Sequence, residues 1–144
     1  MKRLLYLLFA TVIAFQTVFL AEQVEAAKKV SLTEEQVKQL QDDVNFLTRK
    51  TYASSLFDAK DVQKLLEVRD TLNSVADGNM KDLTYAKMFS DMAYVLSKRD
   101  YKQDAIQYYM LVKDKFPNTI YAKKALIELE NLGVKFEDEA EVTE

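Results

Sequence analysis

From Val37 the apolar positions fall at Leu40, Val44 and Leu47, at spacings of three and four, and Thr51 continues the series. That interval returns a side chain to the same side of an α-helix at every turn, so the stretch predicts an amphipathic helix. Thr33, with Gln36 three residues later, supplies a capping-box start just ahead of it. Glu34 and Lys38, one turn apart in the favourable order, add little. Two heptads are too few to make the stripe a coiled-coil seam. A second helical pattern carries Val62, Leu65, Leu66, Leu72 and Val75 and runs into Asp77-Gly78-Asn79, which reads as a left-handed stop. A third begins near Asp82 and carries Tyr85, Met88, Phe89, Met92, Val95 and Leu96. The fourth carries Ala105, Tyr109, Val112 and Phe116 and ends at Pro117. The fifth, capped by Asn118 or Thr119, uses Tyr121, Ala122, Ala125, Leu126 and Leu129 and stops at Gly133. Links this short make successive helices antiparallel. The expected fold class is all-α.

The segment ahead of these helices has a different pattern. Lys2 and Arg3 precede an uncharged apolar run, "LLYLLFATVIAFQTVFLA", over residues 4–21, and Val24-Glu25-Ala26 offers side chains acceptable to a signal peptidase. Thr11, Gln16 and Thr17 lower the hydrophobicity of the run, which favours a cleaved export signal over residues 1–26. An uncleaved anchor through residues 4–21, with its N-terminus cytoplasmic, is the other reading. In either case the folded part is expected in the periplasm or outside the cell, with the membrane touched only through an uncleaved N-terminus. At the other end, residues 134–144 hold Glu137, Asp138, Glu139, Glu141 and Glu144 against Lys135 alone, which predicts an acidic disordered tail. The helical domain is expected over residues 31–133.

Composition narrows the chemistry. The 144 residues include no His and no Cys, so His- or Cys-based nucleophilic catalysis and thiolate or imidazole metal sites are excluded. Gly78 and Gly133 are the only glycines, too few for a phosphate-cradling loop. Asp42, Asp43, Asp91 and Asp104 are available as carboxylates, but nothing in their spacing marks a catalytic pair. The expectation is a protein that is not an enzyme, with no catalytic residue, no metal and no cofactor. A net charge of -3, unchanged on removing residues 1–26, provides no field for nucleic acid.

Ala93, Ala105 and Pro117 lie at intervals of 12 residues, two small side chains where helices cross and a proline where the second helix ends. With Phe89, Met92, Leu96, Tyr109 and Val112 around them, residues 86–119 resemble a tetratricopeptide repeat. Val112 is larger than the family's usual alanine, and Lys102 stands where an aromatic is common, beside Tyr101. The following "FPNTIYAKKAL" is similar to the repeat junction of periplasmic and outer-membrane tetratricopeptide proteins of the assembly and cell-division coordinator types. A weaker earlier copy aligns Tyr52, Ala53 and Leu56 with Met92, Ala93 and Leu96. The resemblance implies helical hairpins stacked as a short solenoid of about two and a half repeats, with the first helix of each pair lining a concave groove. Without the resemblance, the same residues are simply the core of a five-helix bundle.

On the third helix, Lys87, Asp91, Tyr94 and Lys98 follow spacings of four, three and four, with Ser90 beside them, opposite the apolar stripe. They are the expected partner-binding residues, Tyr94 as an aromatic contact and Lys87 and Lys98 as holders of a carboxylate. The resemblance implies an exported scaffold that binds a protein or peptide in cell-envelope assembly or a related complex, with self-association as a way to complete the stack. The alternative is a small exported bundle that binds a ligand or glycan. Tyr101, Tyr108, Tyr109 and Tyr121 gather near Pro117, and helical spacing assigns Tyr109 and Tyr121 to the core, leaving Tyr108 and Tyr101 free for such a role.

Overall fold

The computed structural model describes residues 31–76, 78, 80 and 82–136. The expected export segment and the acidic residues of the tail lie outside them. Five helices follow one another: α1 (Glu34–Tyr52), α2 (Ala59–Ala76), α3 (Leu83–Ser97), α4 (Lys102–Lys115) and α5 (Ile120–Asn131). No strand occurs among the described residues, and none of their helices is long and apolar enough to cross a membrane.

Four of the five helices start on a side-chain cap. Gln36 N–H donates to Thr33 Oγ1 at 3.3 Å while Thr33 N–H donates to Gln36 Oε1 at 2.9 Å, completing the box expected for α1. Asp82 Oδ1 accepts from Thr84 N–H at 2.8 Å to start α3, and Thr119 Oγ1 accepts from Ala122 N–H at 3.1 Å to start α5. The start of α2 is a reciprocal pair of aspartates. Asp58 Oδ1 accepts from Lys60 and Asp61 N–H, and Asp61 Oδ2 reaches back to Asp58 N–H at 2.9 Å.

The ends of α1, α3 and α5 share one turn. Ser54 (φ 51°), Asp100 (φ 66°) and Gly133 (φ 85°) each take the left-handed conformation. The next residue in each case, Ser55, Tyr101 or Val134, donates its N–H five residues back, to the carbonyls of Lys50, Leu96 and Leu129. This is the long bond of the Schellman closure, formed three times from three different residues, and its companion bond is present at Ser54 and Gly133. Gly78 is not left-handed, contrary to the stop expected there. A Cβ at Gly78 would stand 3.0 Å from the Val75 carbonyl oxygen, so a close backbone approach is what that glycine accommodates.

The helices form two layers. α3 packs against α1 on one side and α5 on the other, making a row of three, while α2 packs on α1 and α4 packs on both α3 and α5. α2 reaches α4 through side chains, the Tyr108 hydroxyl donating to the Arg69 carbonyl at 2.9 Å and lying 2.8 Å from Asn73 Oδ1. The core runs between the layers and is densest around α3, where Ala86, Met88, Phe89, Met92, Ala93, Val95 and Leu96 are all buried. Ala93 and Ala105 let α3 and α4 approach closely, and Phe89 meets Tyr108 edge-to-face at 5.1 Å. Among the described residues every ion pair between helices involves α2: Lys50 with Asp61, Lys64 with Asp43, and Arg69 with Asp104.

Some expected core positions stand elsewhere. Val62 and Leu126 are partly exposed, because nothing packs on the outer sides of α2 and α5. The earlier copy is out of register as aligned from sequence: Leu56 is 88% exposed, whereas Leu96 is buried. Matching the left-handed residues Ser54 and Asp100 instead sets Leu47 opposite Ala93, both buried. A leucine at that position keeps α1 and α2 further apart than α3 and α4. Val134 packs on the core and Phe136 lies under the Lys113 ammonium, so the first residues of the expected tail are placed.

Candidate functional site

The inner side of the row formed by α1, α3 and α5 collects polar and aromatic side chains that are half covered by their neighbours. Between α1 and α3 lies an open depression of about 460 Å³, lined by Asp42, Asn45, Thr48, Arg49, Tyr52, Lys87 and Asp91. The three-four spacing on α3 turns Lys87, Asp91, Tyr94 and Lys98 toward this side, as expected. Ser90 does not join them. It is 1% exposed, and its hydroxyl has no hydrogen-bond partner among the described residues. The reason is that α3 sits in the middle of the row, so flanking positions which would face solvent on a two-sided helix are covered here.

The Lys87 ammonium donates to Asp91 Oδ2 at 2.6 Å and to Asn45 Oδ1 at 3.0 Å, bridging α3 to α1. Its charge is already paired within the protein, while its side chain keeps 37% of its surface exposed. Tyr94 stacks on Tyr52 with ring centroids 4.5 Å apart and planes inclined by 22°. Tyr52 keeps 58% of its surface exposed, so the stacked pair presents one open ring face and its edges to solvent. Lys98 lies 5.7 Å from the Tyr94 ring centre and Lys124, from α5, lies 5.9 Å from it. Neither ammonium has a carboxylate partner among the described residues.

Beneath this surface is Tyr109, fully buried on α4, whose hydroxyl has no partner among the described residues. Burial first, and then the charges of Glu128 and Asp91 and the neighbouring Tyr52 and Tyr94, push this phenol well above its ordinary value. It remains a neutral donor at any physiological pH.

Lys124 and Asn45 were not singled out from sequence, and Tyr52 was read there only as the counterpart of Met92. Carrying the α3 stripe onto α1 finds Asn45 and Tyr52 only once α1 is put in register by Ser54, and extending it to α5 finds Lys124. No group of metal-ligating side chains occurs among the described residues. No protein-family model matches the chain, and neither a curated protein nor a solved structure matches it.

Proposed function

We propose that the inner face of α1, α3 and α5 is a docking groove for an extended, acidic peptide segment of another protein, and that the chain is an exported, non-enzymatic scaffold of tetratricopeptide type. The observation that carries this reading is the stacked Tyr52–Tyr94 pair flanked by the unmatched ammonium groups of Lys98 and Lys124. A rigid aromatic platform with two cations beside the Tyr94 ring suits a carboxylate-bearing chain lying across the row. The thrice-repeated left-handed closure of α1, α3 and α5 supports a stack of similar hairpins, with α5 opening a third. The basic start and apolar run of residues 2–21 support export, and work in envelope assembly follows from the resemblance together with that address. The glycan alternative draws less support: of the two rings left free for it, Tyr108 is buried and holds α2, and Tyr101 is partly buried against the core.

Photo-crosslinking in the native host tests the proposal. A photoreactive residue in place of Tyr94 is expected to give a discrete protein adduct that disappears when Lys98 and Lys124 are both changed to Glu. The same probe in place of Gln107, exposed on α4, is expected to give none. Equal adducts from both positions, or an adduct indifferent to the two charge reversals, would sink the groove assignment.

A further inference from the structure

The outward side of α5 is an unfinished face. Matching Gly133 with Asp100 sets Lys123, Leu126 and Glu130 of α5 on the positions of Ser90, Ala93 and Ser97 of α3. On α3 the first two of these positions are buried; on α5 all three are exposed. Ile120 and Ile127 extend the same side, at 75% and 59% exposure, with Leu126 at 38%. Isolated aliphatic residues on a surface need no explanation, but three on one side of a 12-residue helix form a stripe.

The charges in that stripe choose the occupant. Lys123 and Glu130 are seven residues apart, two helical turns, and lie along the centre of the stripe between Leu126 and Ile127. Neither is in an ion pair among the described residues. A two-fold axis perpendicular to α5 and passing between residues 126 and 127 sets Lys123 of one copy against Glu130 of the other, twice. The same axis brings Leu126 and Ile127 against their own counterparts. A helix face that is complementary to itself when turned antiparallel is what an isologous contact requires.

We propose that α5 is a self-association face, through which two copies of the chain join end to end with their α5 helices antiparallel. The contact closes the open end of each stack and leaves the grooves of both copies available, so it stands whether or not the groove binds a peptide. The face is about 18 Å long, at the small end of specific interfaces, which makes the dimer a weak and concentration-dependent one.

Sedimentation of the full chain across a concentration series, in mild detergent to accommodate residues 4–21, reads the association. Lys123→Glu and Glu130→Lys are each expected to weaken the dimer by about tenfold, since each sets like charges together twice. Lys123→Glu with Glu130→Lys in the same chain is expected to restore it. The natural chain has no cysteine, so Ile127→Cys is expected to yield a disulfide-linked dimer on oxidation, and Leu56→Cys, more exposed but on another surface, is not. A dimer indifferent to the charge reversals, or equal crosslinking from positions 127 and 56, would overturn the proposal. Open-ended multimers would overturn it in favour of head-to-tail stacking. A chain that stays monomeric until residues 137–144 are deleted would overturn it by assigning the face to the chain's own tail.

Discussion

Tyr108 and Tyr109 are neighbours in the chain and both are buried, yet their hydroxyls stand in opposite situations. Tyr108 donates to the Arg69 carbonyl and lies within hydrogen-bond distance of Asn73 Oδ1, so its polar end ties α4 to α2. Tyr109 is fully buried and has no partner for its hydroxyl among the described residues. Removing the hydroxyl should therefore have different consequences at the two sites. Tyr108→Phe is expected to cost about 1 to 2 kcal/mol in denaturant unfolding, while Tyr109→Phe is neutral or stabilising by up to about 1 kcal/mol. Equal losses would show that the Tyr109 hydroxyl is satisfied after all. Helical spacing identifies Tyr109 as core but leaves Tyr108 on the surface, because the groups that take its hydroxyl belong to α2, more than thirty residues earlier. Ser90 was misplaced for the same reason. A stripe read from one helix knows its own turn and nothing of the helix that will lie beside it.

At the scale of the element, the starts of helices were more legible than their ends. Thr33, Asp82 and Thr119 are recognisable caps because side-chain oxygens at those positions satisfy backbone N–H groups within three residues, a wholly local arrangement. Gly133 announces its left-handed turn, whereas Ser54 and Asp100 adopt the same turn without a residue type that advertises it. The register of the first hairpin was lost with Ser54. The start of α2 also joins elements, since the Asp61 carboxylate that closes its cap is the partner of Lys50 on α1. The Lys50 ammonium, then the Asp58 N–H, hold the Asp61 carboxyl below its ordinary value of 3.8. A carboxyl depressed in the folded state stabilises above its unfolded value and loses that contribution as pH falls through the folded one. Asp61→Asn should accordingly lower the thermal midpoint at neutral pH, with the gap to the natural chain closing below about pH 4. A gap that is the same at pH 7 and pH 3 would show that the carboxylate charge is not what joins α1 to α2.

For the whole molecule, the number and order of helices, their antiparallel succession and the crowding of small residues between α3 and α4 follow from spacing and from Ala93 and Ala105. The row of α1, α3 and α5 does not, because contacts between alternate helices leave no short-range mark. Nor does the distribution of ion pairs. α3, α4 and α5 are held to one another by apolar contact, while α2 is fastened to its neighbours by Lys50–Asp61, Lys64–Asp43 and Arg69–Asp104 as well as by Leu65, Val68, Leu72 and Val75. Of the six charged side chains, all but the buried Asp61 are partly exposed, within reach of screening by dissolved ions. The molecule therefore has two kinds of seam, and salt discriminates between them. Amide hydrogen exchange should show α2 opening first and α3 last, with added sodium chloride hastening exchange in α2 while leaving the α3–α4 hairpin unchanged. Uniform acceleration along the chain would contradict this. A rise in ionic strength would then loosen one helix at the edge of the protein and leave the helices that carry the Tyr52–Tyr94 pair as they are.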